Sequence, residues 1–211
     1  MTARRRNPRG QGAALRDELL DAAEELLRER GDEGLVSVND VVGAVGVTPP
    51  SLYAHFTDKA ALFVEVHARL MASFGEHLAE ATTGITDPVE QLRVRGHAYL
   101  DFARTHPESY RALFMSSAAA SAEDDLPERI MAATSYADLL TNVQACIRAG
   151  DINVNPGDAD LVSRTIWAMV HGIASMAITM PIAWEPYGAD AVLDSAFDSL
   201  LNGYRKTSPG Q

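Results

Sequence analysis

Cysteine is nearly absent from this chain of 211 residues: Cys146 stands alone. An intrachain disulfide and a cysteine-based zinc site are both excluded, which suits a reducing cytoplasm. Long apolar runs are missing as well. The most apolar stretch, Ile166 to Ala183, is interrupted by His171 and Gly172 and limited by Pro181. It does not read as a membrane span, which takes about 20 consecutive apolar residues. The opening MTARRRNPRG has no apolar segment after its arginines and does not read as a secretory signal. No strand pair is visible, since Ile152 to Val154 is too short, and no repeat is visible. The chain also lacks a G-x-S-x-G elbow, a phosphate loop and a dinucleotide fingerprint. Cys146 reads as a small core residue rather than a nucleophile. His97 and Asp101, four apart, read as an i,i+4 contact rather than half of a metal site. No metal, cofactor or enzyme activity is expected.

Basic residues are outnumbered, 18 against 29 acids, for a net charge of −11. Such a balance disfavours a polyanionic partner, but its distribution does not. Residues 1–16 hold Arg4, Arg5, Arg6, Arg9 and Arg16 and no acid, leaving 13 bases against 29 acids in the rest. A basic arm on an acidic body suits a protein that touches phosphate at one end only and is repelled elsewhere. Away from DNA the arm reads equally well as a solvated tail.

What the chain does have is helical periodicity. Leu15, Leu19, Ala22, Ala23, Leu26 and Leu27 give a first helix, about Ala13 to Arg30, one buried face, with Asp17, Glu18, Asp21, Glu24 and Glu25 as a solvated face. Ser37 is an N-cap with Asp40 three residues on, an acidic variant of the capping box. A short helix follows through Val38, Val41, Val42 and Val45. Gly46 turns the chain. Thr48 is a second N-cap, ahead of Pro49 and Pro50, with Pro49 assigned to the cap because a residue before proline avoids the α region. Leu52 and Phe56 give the next helix one apolar face. Asp58 caps a fourth helix that carries Lys59 in its first turn and Leu62, Val66, Leu70 and Phe74 as its inner stripe. Helix, glycine turn, helix is the helix-turn-helix plan, whose second helix enters the DNA major groove.

The wording is more specific than the plan. Gly46, Val47, Leu52, Tyr53, His55, Phe56, Lys59 and Leu62, in GVTPPSLYAHFTDKAAL, resemble the signature of the tetracycline-repressor (TetR) family of bacterial regulators. Val42 and Val45 stand where that family often has alanines. The resemblance implies that Tyr53, His55 and Lys59 hold phosphate. The residues themselves add that Thr48, Pro49, Pro50 and Ser51 sit at the end of the helix that meets bases, and that Ser37 with the free N–H groups behind it suits another phosphate. Proline rings offer only apolar contact, so direct readout is expected to be sparse, with some reliance on DNA shape.

Further along, helices are expected over about Pro88–Thr105 (Leu92, Gly96, Tyr99, Leu100 and Ala103 inward), Glu108–Ser117, Pro127–Ala149 (Ile130, Ala133, Ala137, Leu140, Val143 and Ile147 on one face), Asp158–Met180 and Ala189–Tyr204 (Leu193, Ala196, Phe197, Leu200 and Tyr204 inward). Ser116 to Leu126 reads as a mobile loop and TSPGQ as a disordered tail. HPESYRALF and IWAMVHGIASM look like the TetR ligand-domain subgroup named for a Trp and a His-Gly pair, here Trp167, His171 and Gly172. That resemblance implies that the last two long helices, about 158–180 and 189–204, pair with a second copy as a four-helix bundle. Tyr99, Phe102, Phe114, Met115, Tyr136, Trp167 and Met169 are candidates to line an apolar cavity. An aromatic and methionine set at helical spacing is also what plain core looks like. His171 is either a polar handle for a ligand or a hydrogen-bonded structural histidine.

The expected fold is all-α with about nine helices. Residues 1–59 form an arm and a three-helix DNA-binding head, and 60–211 a ligand-binding and dimerisation body. The expected function is a cytoplasmic, homodimeric transcriptional regulator, a repressor released from double-stranded operator DNA by a small-molecule effector, with no membrane partner. The rivals are an effector-independent activator or architectural protein and, in another class, a helical ligand-binding protein or enzyme whose head only stabilises it.

Overall fold

A computed structural model describes residues 12–115 and 134–205. The basic arm with Arg4, Arg5 and Arg6, the Ser116 to Leu126 loop, the start of the seventh helix at Pro127 and the tail lie outside them. The described residues form nine α-helices and no strand: α1 (Gly12–Arg30), α2 (Val38–Val45), α3 (Pro49–Tyr53), α4 (Lys59–Thr82), α5 (Pro88–Thr105), α6 (Pro107–Phe114), α7 (Thr134–Ala149), α8 (Ala159–Thr179) and α9 (Ala189–Arg205). The chain forms two compact units that part inside α4. Among the described residues, one comprises 12–71 with 108–115, the other 72–107 with 134–205. The sequence-based boundary at residue 59 falls instead at the start of α4, and it leaves α6 with the body.

In the first unit α1 buries Leu19, Leu20, Ala23 and Leu27. Leu15, Ala22 and Leu26 are only half-buried, so the stripe is turned toward Leu20. The acids of α1 are not all plain solvated charges. Asp17 and Asp21 pair with Arg69 of α4 at 3.1 and 2.7 Å, and Glu24 pairs with Arg28. Exposed pairs of this kind contribute at most about 1 kcal/mol each. Leu62, Val66 and Leu70 are buried as their spacing predicts, with Phe63 beside them. From α6, Tyr110 and Leu113 are fully buried, and Ser109 accepts a hydrogen bond from Arg28 Nε at 3.2 Å.

The second unit is built on α5, which packs against α7, α8 and α9. Leu92, Gly96, Tyr99, Leu100 and Ala103 are buried as expected, and Phe74 meets Tyr99 and Phe102 edge-on at 5.0 and 5.1 Å. On α7 the inner face is Tyr136, Leu139, Val143 and Cys146, whereas Ala137 is exposed and Leu140 and Ile147 are half-buried. The helix is therefore rotated by about one residue, roughly 100°, from the expected face. This rotation buries the larger side chains and carries Asn142 inward with them. By length and composition Pro156–Thr179 would suffice to cross a membrane, which the sequence reading did not anticipate, and 28% of its apolar window is buried. It packs on α5, α7 and α9, so its apolar character is partly that of a core helix.

Candidate functional site

The turn between α2 and α3 is made by Gly46, whose φ of 76° lies in the left-handed region that a Cβ disfavours. The Val47 amide donates back to the Val42 carbonyl at 2.9 Å and closes the turn. Thr48 is extended (φ −108°, ψ 156°), as a residue before proline should be, and α3 starts at Pro49 rather than Pro50. Proline suits that first position because its missing N–H had no partner there. Thr48 makes no side-chain cap bond; its hydroxyl lies 3.4 Å from that of Ser51. Leu52 and Phe56 are buried and hold α3 down. Thr48 and Pro50 are exposed, Pro49, Ser51 and His55 are half-buried, and Tyr53 is 52% exposed.

Two of the candidate phosphate ligands are already engaged. The Ser37 amide donates to Asp40 Oδ2 at 2.8 Å, its hydroxyl donates to the same oxygen at 2.6 Å, and the Asp40 amide donates to Ser37 Oγ at 3.2 Å. Arg30 adds a bond to Asp40 at 2.8 Å, and with the Ser37 bonds it holds the Asp40 carboxyl well below the usual carboxylate range. A full negative charge thus sits over the start of α2. Lys59 donates to the Glu33 carbonyl at 2.6 Å, with its Nζ 5.5 Å from the Phe63 ring centre. An ammonium has three donors, so a phosphate remains within its capacity.

In the second unit, Tyr99, Trp167 and His171 come together. The Tyr99 hydroxyl and His171 Nδ1 share a hydrogen bond of 3.0 Å, and the Trp167 and His171 rings lie 5.8 Å apart. Burial pushes the His171 pKa down, so the ring is held toward its neutral form. Phe102 is buried against Phe74 and stacks on His106, and Met169 is half-buried on α8. The Tyr136 hydroxyl donates to Asp160 at 2.7 Å. Phe114 and Met115 belong to the first unit, where Phe114 packs on Tyr110 and Met115 is 42% exposed. His97 and Asp101 do not contact each other as an i,i+4 pair would. His97 faces Asp190 and Asp194 of α9 at 3.3 and 2.8 Å, and Asp101 faces His77 at 3.4 Å. Cys146 is fully buried, which pushes its thiol up to about 11 and removes it as a nucleophile.

Residues 19–66 match the family described as bacterial regulatory proteins, tetR family, and residues 92–200 match the tetracyclin repressor-like C-terminal domain. The chain belongs to the TetR family. The second match is to the general C-terminal domain and does not single out the Trp and His-Gly subgroup. A HTH-type transcriptional activator FasR of Mycolicibacterium smegmatis is 30% identical over 99 residues, 47% of this chain and 45% of that protein. The match thus spans about half the length of that relative. A protein of unknown function from Rhodococcus sp. RHA1 shares the fold with a TM-score of 0.74 at 23% identity, over 98% of this chain and all of that one. The transcriptional regulator FadR from Bacillus subtilis, in complex with stearoyl-CoA, does so with a TM-score of 0.70 at 16% identity, over 89% and 98%. A TetR-family chain is a DNA-binding transcription regulator, not an enzyme.

Sequence reasoning missed one feature of this TetR-family body. A cleft of about 410 Å³ is lined by the end of α4, the turn after it, α5 and α7, with Arg95 and Asn142 among its walls. None of the eight residues expected to line a ligand cavity borders it. The signal was present in the spacing. Arg95 falls within the buried stripe Leu92, Gly96, Tyr99, and Asn142 within Leu139, Val143, Cys146. A charged or amide side chain at such a position is the informative exception in a buried face.

Proposed function

We propose that this TetR-family regulator is a cytoplasmic homodimer that represses transcription and is released from a near-palindromic operator by a small, largely apolar ligand. The observation that carries the reading is the exposed side of α3 behind the Gly46 turn, with Thr48, Pro50 and Tyr53 open to solvent while Leu52 and Phe56 are buried. Thr48, Pro49, Pro50 and Ser51 meet base edges, while Tyr53, His55 and Lys59 hold phosphate, with the arm residues Arg4, Arg5 and Arg6 adding to them; Ser37 adds a contact only by giving up its bonds to Asp40. Two heads take half-sites about one helical turn apart or a multiple of that.

Dimerisation through α8 and α9 is supported by apolar surface that one chain leaves uncovered. Leu161 is 65% exposed, Met176 42% and Met180 53%, and Ile182 beyond α8 is 79% exposed. Leu161 stands in the first turn of α8 and the other three at its far end, and exposed apolar patches mark interaction surfaces. A largely apolar effector is in keeping with the stearoyl-CoA held by the Bacillus FadR neighbour, and Tyr99, Phe102, Tyr136, Trp167, Met169 and His171 of the second unit are its proposed contacts. One specific observation favours a second reading, activation: the Mycolicibacterium relative is named an activator.

The test is binding of purified protein to its own upstream DNA against scrambled DNA at two salt concentrations, followed by a promoter reporter. Selective binding that weakens with salt is expected, with reporter output rising when the gene is deleted. Output that falls on deletion replaces repression with activation. Absence of selectivity at either salt removes the reading for that DNA. Ligand and operator must also weaken each other by the same factor, so equal ligand affinity with and without operator rules out induction.

A further inference from the structure

We propose that the cleft between the end of α4, α5 and α7 binds a small carboxylic acid that carries an N–H or O–H donor beside its carboxylate. The inference rests on the cleft alone and does not depend on the regulator reading.

Arg95 supplies the first half of the argument. It is 8% exposed, and its Nε and Nη1 are shielded from water with no hydrogen-bond partner. Asp138 Oδ2 lies 3.9 Å from Nη1, close enough for attraction but too far for a hydrogen bond. A buried guanidinium with unmade bonds is costly unless something completes it. Burial also lowers the Arg95 pKa, although guanidinium keeps its charge throughout the working range. Nε and Nη1 lie on different edges of the guanidinium, so a carboxylate can meet one of them through a charge-assisted bond, with Nη2 beside it as the second donor.

Asn142 supplies the second half. It is 3% exposed, and its Nδ2 donates to the Pro88 carbonyl at 2.8 Å. That bond fixes the amide and leaves Oδ1 buried with no donor. The hydroxyls on the same walls donate to their own helices, Thr82 to Leu78 O at 3.0 Å and Thr141 to Ala137 O at 2.9 Å. They are therefore acceptors toward the cleft. The walls thus offer one cationic donor and several acceptors, and the complementary molecule has one carboxylate and at least one donor near it. Asp138 disfavours a second carboxylate and tolerates an ammonium. Ile85 and Ala145 give a short carbon chain an apolar seat, and the volume of about 410 Å³ lies within the range of small-molecule sites.

The test is a titration followed by NMR at the Arg95 Nε–H signal, with four probes of equal chain length: norvaline, 2-hydroxypentanoate, pentanoate and pentanamide. The first two are expected to shift the signal saturably, at least one of them about tenfold more tightly than pentanoate. The tighter of the two identifies an amino or a hydroxy acid as the source of the donor. Pentanamide is expected to leave the signal in place. Arg95→Met should abolish binding while folding at least as well, because it replaces an uncompensated buried charge with an apolar chain of similar volume. Arg95→Lys, which keeps the charge without the fork, should bind more weakly than the native protein. Asn142→Ala should bring the two donor-bearing acids down to the affinity of pentanoate. The proposal is overturned if none of the three acids shifts the signal saturably, if pentanamide binds as well as pentanoate, or if Arg95→Met retains native binding measured calorimetrically.

Discussion

Gly96 of α5 lies directly under the ring of Phe197 of α9. A Cβ built on Gly96 would come within 2.6 Å of Phe197 Cε2 and 2.8 Å of Cζ. Real carbon atoms do not approach so closely, and Phe197 is fully buried, so its ring would have to shift within the core. Alanine would gain up to about 1 kcal/mol over glycine as a helix former, but overpacking a close-packed site costs about 1–3 kcal/mol. Gly96→Ala is therefore expected to lower the melting temperature, and Phe197→Leu placed on top of it should recover part of the loss. A melting temperature for Gly96→Ala at or above that of the native protein would show that α5 and α9 can separate at little cost.

The all-α fold and most helix bounds were legible because apolar spacing reports directly on a buried face. The stripe Leu62, Val66, Leu70 and Phe74 is buried throughout. The helix-turn-helix was legible for a different reason: Ser37, Gly46 and Asp58 each act on backbone geometry a few residues away, so local sequence suffices. The α7 face was misplaced because Ala137, Leu140 and Ile147 form an equally periodic set, and only the packing of Tyr136 and Cys146 chooses between them. The partners of His97 and Asp101 were also illegible. His97 bonds to Asp190 and Asp194, more than 90 positions away, and no local pattern carries such a pairing. The same applies to Arg95, whose unpartnered Nε and Nη1 are a property of three helices together.

The cap of α2 should make the head sensitive to acid. Asp40 is held ionised by Arg30 and Ser37, so its folded pKa is below its unfolded value. Its contribution is complete above the ordinary carboxylate pKa of about 4 and is lost as pH falls below that toward the depressed folded value. Asp40→Asn should therefore be less stable than the native protein at neutral pH, with the gap closing in acid. Ser37→Ala should cost about 1 kcal/mol by removing the cap. Parallel denaturant curves at several pH values would decide the matter, and a gap that is constant with pH would exclude the ionised carboxylate as its cause.

Tyr136 makes the opposite prediction at alkaline pH. Burial, and then its hydrogen bond to Asp160, push the phenol up to about 12. The protonated form is the one the fold favours, so this contribution is complete below the unfolded pKa of about 10 and is lost as pH rises through about 12. In an absorbance titration Tyr136 should ionise late. Tyr136→Phe should remove one tyrosine's worth of the late absorbance change and flatten the loss of stability between those pH values. A Tyr136→Phe titration with the same late absorbance change as the native protein would assign the shift to another tyrosine.

The exposed end of α8 can be tested by charge. Leu161 is 65% exposed in one chain, so Leu161→Glu should leave the melting of an isolated chain nearly unchanged, as surface substitutions do. Within a dimer interface the same carboxylate would be buried opposite its own copy without a partner, which costs several kcal/mol. Sedimentation should then show a shift from dimer to monomer, with operator affinity falling in parallel because two linked heads gain from effective concentration. Unchanged sedimentation would move the interface away from this end of α8.

The head offers a way to separate contacts that read sequence from those that hold phosphate. Tyr53→Phe keeps the exposed ring and removes only the hydroxyl, and Lys59→Gln removes one charge. Each should weaken binding to specific and scrambled DNA alike, and Lys59→Gln should reduce the slope of log affinity against log salt by about 0.9. Lys59 also bonds the Glu33 carbonyl, so its melting temperature has to be compared with that of the native protein before the change is assigned to DNA. Pro49→Ala and Pro50→Ala remove apolar ring contact without altering charge. They should leave the salt slope unchanged and narrow the ratio of specific to non-specific affinity, because the rings can touch a thymine methyl but cannot hydrogen-bond. If both proline variants keep the native ratio, base recognition falls to Thr48 and Ser51 or to DNA shape. A change of salt slope in either would mean that the turn had moved the phosphate contacts, and the proline rings would then be scaffolding for α3 rather than part of the reading surface.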